Sequence, residues 1–494
     1  MDRRVFLKAI GAGTASLAVS GCMNGIKLSG QKESAKRTNI LFCISDDQSW
    51  LHAGAYGDMV VKTPNFDRVA REGVLFTHAF CAAPSCTPSR SAILTGQEIW
   101  RVEEGGLLFG TLPAKFRVYT DLLEGAGYHV GFTRKGWSPG QVKPSGRKQN
   151  PAGQRYESFE QFLQARPEGK PFCFWFGSGD PHRGYKWQSG LKSGMKLEDI
   201  VVPAFLADST EIRTDICDYY WEIQRFDRQV GQLLQILEAT GELDKTLIVV
   251  TSDNGMPFPR AKTNLYDYGT RMPLAVRWAA KVKGGRVVDD FISHTDFAPT
   301  FLEAAGLEVS EEMTGRSFLD VLLSHKSGRV DPKRDRVFTA LERHTLCRPD
   351  DVGYPSRTIR THRWLYIRNY EPDRWPAGDP GFESPHQGDY GDIDNGPTKT
   401  YMMEHKDDPK VSPLFRLAFG KRLAEELYDV SKDPAQIHNL ANAPAYAEVK
   451  KKLREKLEQY QRDTKDPRVE GRSPWDHYPY YYGDYWKRAA KPGG

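Results

Sequence analysis

The chain has 494 residues, 39% of them hydrophobic and 12% aromatic, enough to bury a sizeable core. Its 69 Lys and Arg against 64 Asp and Glu leave a net charge of only +5, which argues against a nucleic-acid partner but suits an anionic substrate if the positive charge gathers in one cleft. The seven cysteines match neither a zinc pattern nor a dense disulfide framework, and outside the N-terminus no run reaches the ~20 apolar residues of a membrane-spanning helix.

The first residues read as an address. Arg3-Arg4-Val5-Phe6-Leu7-Lys8 is similar to a twin-arginine export signal, a mildly apolar run follows over 9–19, and Val19-Ser20-Gly21-Cys22 is similar to a lipoprotein cleavage box. Residues 1–22 are therefore expected to direct export to a bacterial periplasm or to a membrane-anchored state with lipid on Cys22. The polar residues 23–36 are expected to form a linker.

Residues 39–45 (NILFCIS) form a short continuous apolar run that ends in Asp46 and Asp47, the pattern of a buried parallel strand with acids at its carboxyl end. Thr63-Pro64-Asn65 opens a helix through Glu72, and Gly73 stops it. Residues 171–177 (PFCFWFG) predict a second buried strand, followed by Asp180-Pro181-His182-Arg183. Over 211–240, Ile216, Tyr219, Ile223, Phe226, Val230, Leu233 and Leu237 recur at helical spacing, so a long amphipathic helix with its aromatics in the core is expected. Residues 246–251 (TLIVVT) predict a third buried strand running into Ser252-Asp253-Asn254-Gly255, and 274–278 another.

Three strands thus end in acid- or His-bearing turns, and ligands of open α/β sheets bind outside the carboxyl ends of the strands. The fold class expected over 37–330 is α/β, with a large mixed, mostly parallel sheet sandwiched by helices. Residues 331–494 predict a smaller antiparallel α+β domain. Its parts are strands at 336–341 and within 357–370, a Pro-, Gly- and Asp-rich loop over 371–400, a charged helix over 445–461 and a Tyr-dense tail over 475–486 that either packs on the body or offers a sugar-stacking surface.

The most specific motif is Cys86-Thr87-Pro88-Ser89-Arg90, followed by Leu94-Thr95-Gly96. It resembles the maturation motif of the type I sulfatases, and the order Ser45-Asp46-Asp47, Cys86 motif, Ser252-Asp253-Asn254-Gly255 is that family's order. The resemblance runs from Asn39 to about Lys465 and includes Glu426-Leu427-Tyr428-Asp429 near its end. Asp180-Pro181-His182-Arg183, residues 252–259 (SDNGMPFP), Tyr354-Pro355-Ser356-Arg357 and residues 463–467 (DTKDP) are similar to heparan N-sulfatases (sulfamidases) within it.

The resemblance implies an alkaline-phosphatase-like fold. It also implies conversion of Cys86 to formylglycine by a separate formylglycine-generating or anaerobic sulfatase-maturating enzyme. The chemistry explains the requirement. A hydrated aldehyde has two hydroxyls on one carbon, one to attack sulfur and one to expel sulfate afterwards, whereas Ser or Cys has no second hydroxyl. One calcium ion is implied, with Asp46, Asp47, Asp253, Asn254 and residue 86 as ligands, since hard oxygen donors suit calcium or magnesium and a flexible shared site suits calcium better.

Arg90 is expected to brace residue 86 and a metal ligand, and Lys135, His182 and Lys262 to surround the sulfate. Either His182 or Lys262 would protonate the leaving group. Arg183 is expected to contact substrate. The Arg343-His344 pair and Arg357 are placed either to read anionic sugar groups or to make local salt bridges. Trp137 stands where relatives carry a histidine, and Trp100 likewise; Trp137 is expected to stack on a sugar ring.

These residues point to removal of O- or N-linked sulfate from a sulfated saccharide. A phosphodiesterase or phosphonate hydrolase of the same superfamily is disfavoured, because two metals with several His ligands are the usual pattern there and His is scarce. A non-catalytic sulfated-glycan-binding lipoprotein is disfavoured by the intact Cys86 and Arg90.

Overall fold

A computed structural model describes residues 37–482 apart from 383, 385 and 386. The export signal, Cys22, the linker and the end of the Tyr-dense tail lie outside the described residues.

Among the described residues the larger sheet has nine strands: β1 (Asn39–Ser45), β2 (Val74–Phe80), β3 (His129–Arg134), β4 (Gln154–Arg155), β5 (Phe172–Gly177), β6 (Thr246–Ser252), β7 (Arg271–Met272), β8 (Leu274–Arg277) and β9 (Arg286–Ser293). Their order is β4-β3-β5-β1-β6-β8-β2-β7, with β9 also paired to β2. From β4 through β6 all pairs are parallel; β8 runs antiparallel to both β6 and β2, and β9 runs parallel to β2.

β1, β5 and β6 are buried along their whole length, which is why their sequences do not alternate with polar residues. Successive side chains of β1 enter opposite cores. Ile40, Phe42 and Ile44 pack with Phe297 and Phe301 of the helix Phe297–Ala304, while Leu41 and Cys43 pack with Phe226, Val230 and Leu234 of the helix Thr210–Ala239. The long helix starts at Ser209, whose hydroxyl accepts from the Ile212 N–H at 3.3 Å. Each fully buried Phe, Ile or Leu on these faces contributes about 1.5–3 kcal/mol.

Register decides where the site forms. Ser45 lies beside Ser252, Ile44 beside Gly177, and Arg134 also beside Gly177. The carboxyl ends of β3, β5, β1 and β6 therefore come out side by side.

The second sheet is small and antiparallel, in the order β10 (Arg336–Leu341), β11 (Ser356–Thr361), β12 (Trp364–Asn369), β13 (Glu425–Asp429). The helix Ala447–Asp463 covers it through Leu453 and Leu457 against Ile359, Tyr366 and Leu427. The sheet is tied to the larger body by Arg360, which pairs with both carboxylate oxygens of Asp267 at 2.8 Å, and by the Tyr266 hydroxyl on Glu426 at 2.7 Å. The segment expected to be loop over 371–400 becomes helical at its end, Pro397–Glu404, where Pro397 occupies the first turn.

Candidate active site

Each sequence-predicted acid lies at a strand end. Asp46 and Asp47 follow β1, and Asp253 and Asn254 follow β6; Asp47, Asp253 and Asn254 are completely buried. Asp47 has a φ of 72°, a conformation that lets its amide donate to Asp253 Oδ1 at 3.1 Å while its own Oδ1 accepts from Asn254 Nδ2 at 2.7 Å. The amide of Asp46 donates to the Asp180 carbonyl at 3.0 Å, which joins the turn after β5 to the same place.

Cys86 starts the helix Cys86–Thr95, fed by the segment after β2. Ser85 stands at its N-cap in extended conformation but makes no side-chain bond to the helix amides; its hydroxyl meets His344 Nδ1 at 2.8 Å instead. Cys86 Sγ lies 3.5 Å from Asp46 Oδ1 and 4.0 Å from Asp47 Oδ1. One turn on, Arg90 reaches behind it. Nε donates to Asp253 Oδ2 at 2.8 Å and Nη1 to the carbonyls of Lys135 and Gly136 at 3.0 and 2.8 Å.

Two lysines close the ring of charge. Lys135, next to Arg134 with its φ of 61°, donates to both oxygens of Asp46 at 2.7 and 2.6 Å. Lys262 bridges Asp47 Oδ2 at 2.8 Å and Asp394 Oδ2 at 2.9 Å. His182 gives its Nδ1 proton to the Arg183 carbonyl at 2.8 Å, which leaves Nε2 towards the pocket, 3.8 Å from Asp47 Oδ2.

Burial opposes charge on Asp46, Asp253, Lys262 and Cys86, and their neighbours decide the outcome. Burial would raise Asp46, but Lys135, then His182, Arg90 and Lys262 hold it well below the usual carboxylate range. Burial carries Asp253 up to about 6 against the pull of Arg90, with Asp46 adding to the rise. Lys262 is buried too, yet Asp394 and Asp47 hold its ammonium well above the ordinary lysine value. Burial pushes the Cys86 thiol well above its usual value; Lys135 opposes the rise and Asp46 adds to it. An unmodified Cys86 is thus a neutral thiol and a poor nucleophile.

The donor set fits a hard divalent cation. Asp46, Asp47 and Cys86 present ligand atoms within 4.8 Å of one another, and Asn254 Oδ1 is buried without a hydrogen-bond partner, a lone pair that an oxygen-seeking cation would satisfy. Above these residues opens a pocket of about 350 Å³ with Cys86, Lys135, His182 and Lys262 in its lining.

The sulfatase family model matches residues 38–307, more than half of the chain. The chain belongs to the sulfatase family. It is accordingly a sulfuric ester hydrolase. A second family model, N-sulphoglucosamine sulphohydrolase C-terminal, matches residues 260–380 of this sulfatase. An ulvan-active sulfatase of Formosa agariphila is 30% identical over 444 residues, which cover 86% of the chain and 80% of the relative. The N-sulphoglucosamine sulphohydrolase of Homo sapiens is 28% identical over 486 residues, covering 88% and 92%. A solved structure of a protein with its substrate D-glucosamine-2-N,6-O-disulfate shares the fold, with a TM-score of 0.64 at 21% identity over 89% of this chain and 100% of that one.

The structure brings Asp46, Asp47, Cys86, Arg90, Lys135, His182, Asp253, Asn254 and Lys262 of the sulfatase together, and places His344, one of the candidate substrate-binding residues, in the pocket wall. Arg183 and Trp137, expected at the substrate, are corrected, and of the two readings of Arg343 and Arg357 the substrate contact gives way to partners within the protein. The Arg183 guanidinium is held by Asp215 with two bonds of 2.8 Å and by the Pro257 carbonyl. Arg357 is completely buried between Asp466 and Glu342. Arg343 donates to the carbonyls of Tyr478 and Pro479. Freeing such a guanidinium for substrate would strand its buried partners. Trp137 is 1% exposed, its Nε1 on Ser91 Oγ at 2.9 Å, so its ring packs beneath the site and offers no face to a sugar.

Sequence reasoning missed Asp394, Phe109 and His294. Asp394 lies in the loop between the second sheet's strands, with no motif around it. His294, buried behind the Cys86 helix, meets Ser89 Oγ through Nδ1 at 3.0 Å, and burial with Arg90 nearby lowers it to about 3, so it stays neutral.

Proposed function

We propose that this sulfatase removes sulfate from a sulfated saccharide, using residue 86 as formylglycine and one calcium ion. The observation that carries the reading is the convergence of the Cys86 side chain on Asp46 and Asp47, beneath Lys135, His182 and Lys262, in a pocket of sugar-ring size. Two named relatives, one an N-sulphoglucosamine sulphohydrolase and one ulvan-active, support a saccharide substrate with the sulfate on nitrogen or on oxygen.

Asp46, Asp47, Asp253, Asn254 and residue 86 would hold the calcium, which would supply positive charge against the sulfate oxygens. A hydrated aldehyde at position 86 would supply the attacking hydroxyl and a second one for regeneration. Lys135 and Lys262 draw the anion in and screen it from the carboxylates beneath. Arg90 fixes Asp253. Lys262 is clamped between two carboxylates, whereas His182 presents Nε2 to the pocket, so His182 is the group suited to protonate the leaving oxygen or nitrogen.

The reading includes maturation by a formylglycine-generating or anaerobic maturating enzyme. It also includes export, with a lipid on Cys22, to the bacterial periplasm or its membranes. Among the described residues, no helix is long and apolar enough to cross a membrane.

The test is a panel of defined N- and O-sulfated saccharides given to protein matured in a competent host, with mass spectrometry of the Cys86 peptide to verify the aldehyde. Activity on one linkage alone assigns it. No turnover of any sulfated saccharide by protein shown to carry the aldehyde and calcium rejects the proposal.

A further inference from the structure

Phe109 lines the active-site pocket with a φ of 52°, a region that a bulky residue occupies only when its surroundings hold it there. What holds it comes from the far end of the chain. The Tyr481 amide donates to the Phe109 carbonyl at 2.9 Å. The rings of Tyr480 and Tyr482 meet the Phe109 ring edge-on, with centroids 5.2 and 4.8 Å away.

That segment is itself anchored. Arg343 Nη2 donates to the carbonyls of Tyr478 and Pro479 at 2.8 and 3.0 Å, and its guanidinium lies 5.7 Å from the Tyr480 ring centroid. Trp475 is buried with Trp100 and Leu107. Arg343 precedes His344, which lines the same pocket as Phe109.

We infer that the C-terminal segment 474–482 is a positioning element of the substrate pocket, holding Phe109 as the apolar wall against which the saccharide ring packs. The inference rests on the saccharide reading above. Sulfate needs cations and has no use for an aromatic wall; the C–H face of a sugar ring does, and Leu108 and Pro139 extend the same apolar lining. The wall's position is set from outside the pocket because the backbone at Phe109 does not favour its own conformation.

The test uses the matured full-length enzyme and a sulfated monosaccharide that it turns over, with variants Phe109→Ala, Phe109→Tyr, Tyr482→Ala and the double variant Phe109→Ala with Tyr482→Ala. Phe109→Ala is expected to raise KM about tenfold with kcat changed less than about threefold, and Phe109→Tyr to restore KM. Tyr482, which does not line the pocket, is expected to raise KM when truncated alone but to add nothing in the double variant, since it acts through Phe109. An unchanged KM in Phe109→Ala overturns the inference, as does a further rise in the double variant. A loss of thermal stability with KM untouched overturns it too, because the contacts would then be structural only. A parent that turns over no sulfated saccharide sinks the functional reading first, and the inference with it.

Discussion

Arg90 Nε lies 2.8 Å from Asp253 Oδ2, and neither side chain has any exposure to solvent. The pair joins the helix that begins at Cys86 to the turn after β6, so it ties the element of the proposed nucleophile to that of the proposed metal ligands. A buried pair of this kind adds little over an apolar isostere, but breaking it strands a charge. Arg90→Met is therefore expected to destabilise the protein by about 3–5 kcal/mol in urea denaturation with EDTA present. Parent-like stability of this variant would show that the pair does not hold the site together.

The orphaned Asn254 Oδ1 predicts a measurable cation effect. Calcium at 100 times its Kd is expected to stabilise the chelated protein by about 2.7 kcal/mol. Asn254→Ala should weaken calcium binding at least about tenfold by isothermal calorimetry, since even outer-shell changes at metal sites cost that much. Equal affinities in the two proteins would remove Asn254 from the ligand set.

The proposed division of labour between His182 and Lys262 is readable in leaving-group dependence. His182→Ala should lower kcat on a sugar sulfate by about 10²–10⁴-fold, and much less on 4-nitrophenyl sulfate, whose leaving group needs no proton. Lys262→Ala should harm both substrates alike, because its ammonium neutralises charge between Asp47 and Asp394. The reverse pattern would exchange the two roles.

Glu98 offers a pH signature away from the chemistry. Burial carries its carboxyl up to about 8, although the Tyr460 hydroxyl donates to Oε1 at 2.6 Å. Between its ordinary value and about 8 the unfolded chain has lost this proton while the folded chain keeps it, so the folded state binds more protons and stability falls as pH rises. The slope is at most about 1.4 kcal/mol per pH unit. Glu98→Gln should therefore be close to the parent at pH 5 and more stable than it at pH 8, by thermal or urea denaturation. A difference independent of pH would mean that Glu98 does not titrate as its burial implies.

Much of the site was legible because its residues sit where strands stop. Asp46-Asp47 and Asp253-Asn254 end continuous apolar runs, and a run buried on both faces must belong to a central parallel strand, so its end belongs to the sheet's ligand edge. Cys86 and Arg90 are one helical turn apart, a spacing visible in sequence. The arginines were another matter. Arg183, Arg343 and Arg357 carry the same charge whether they face a ligand or a buried acid, and of the two acids that claim Arg357 one lies 109 residues away.

Thus the order of the chain alone determined the chemistry: which side chains could attack, ligate or carry charge, and which apolar runs would bring them to one edge. Tertiary packing decided which charges remained for substrate, because a guanidinium is used up by whatever carboxylate or carbonyl the fold sets against it. It also recruited Asp394 and Phe109, whose places depend on a loop and a tail that carry no local signal of the pocket they complete.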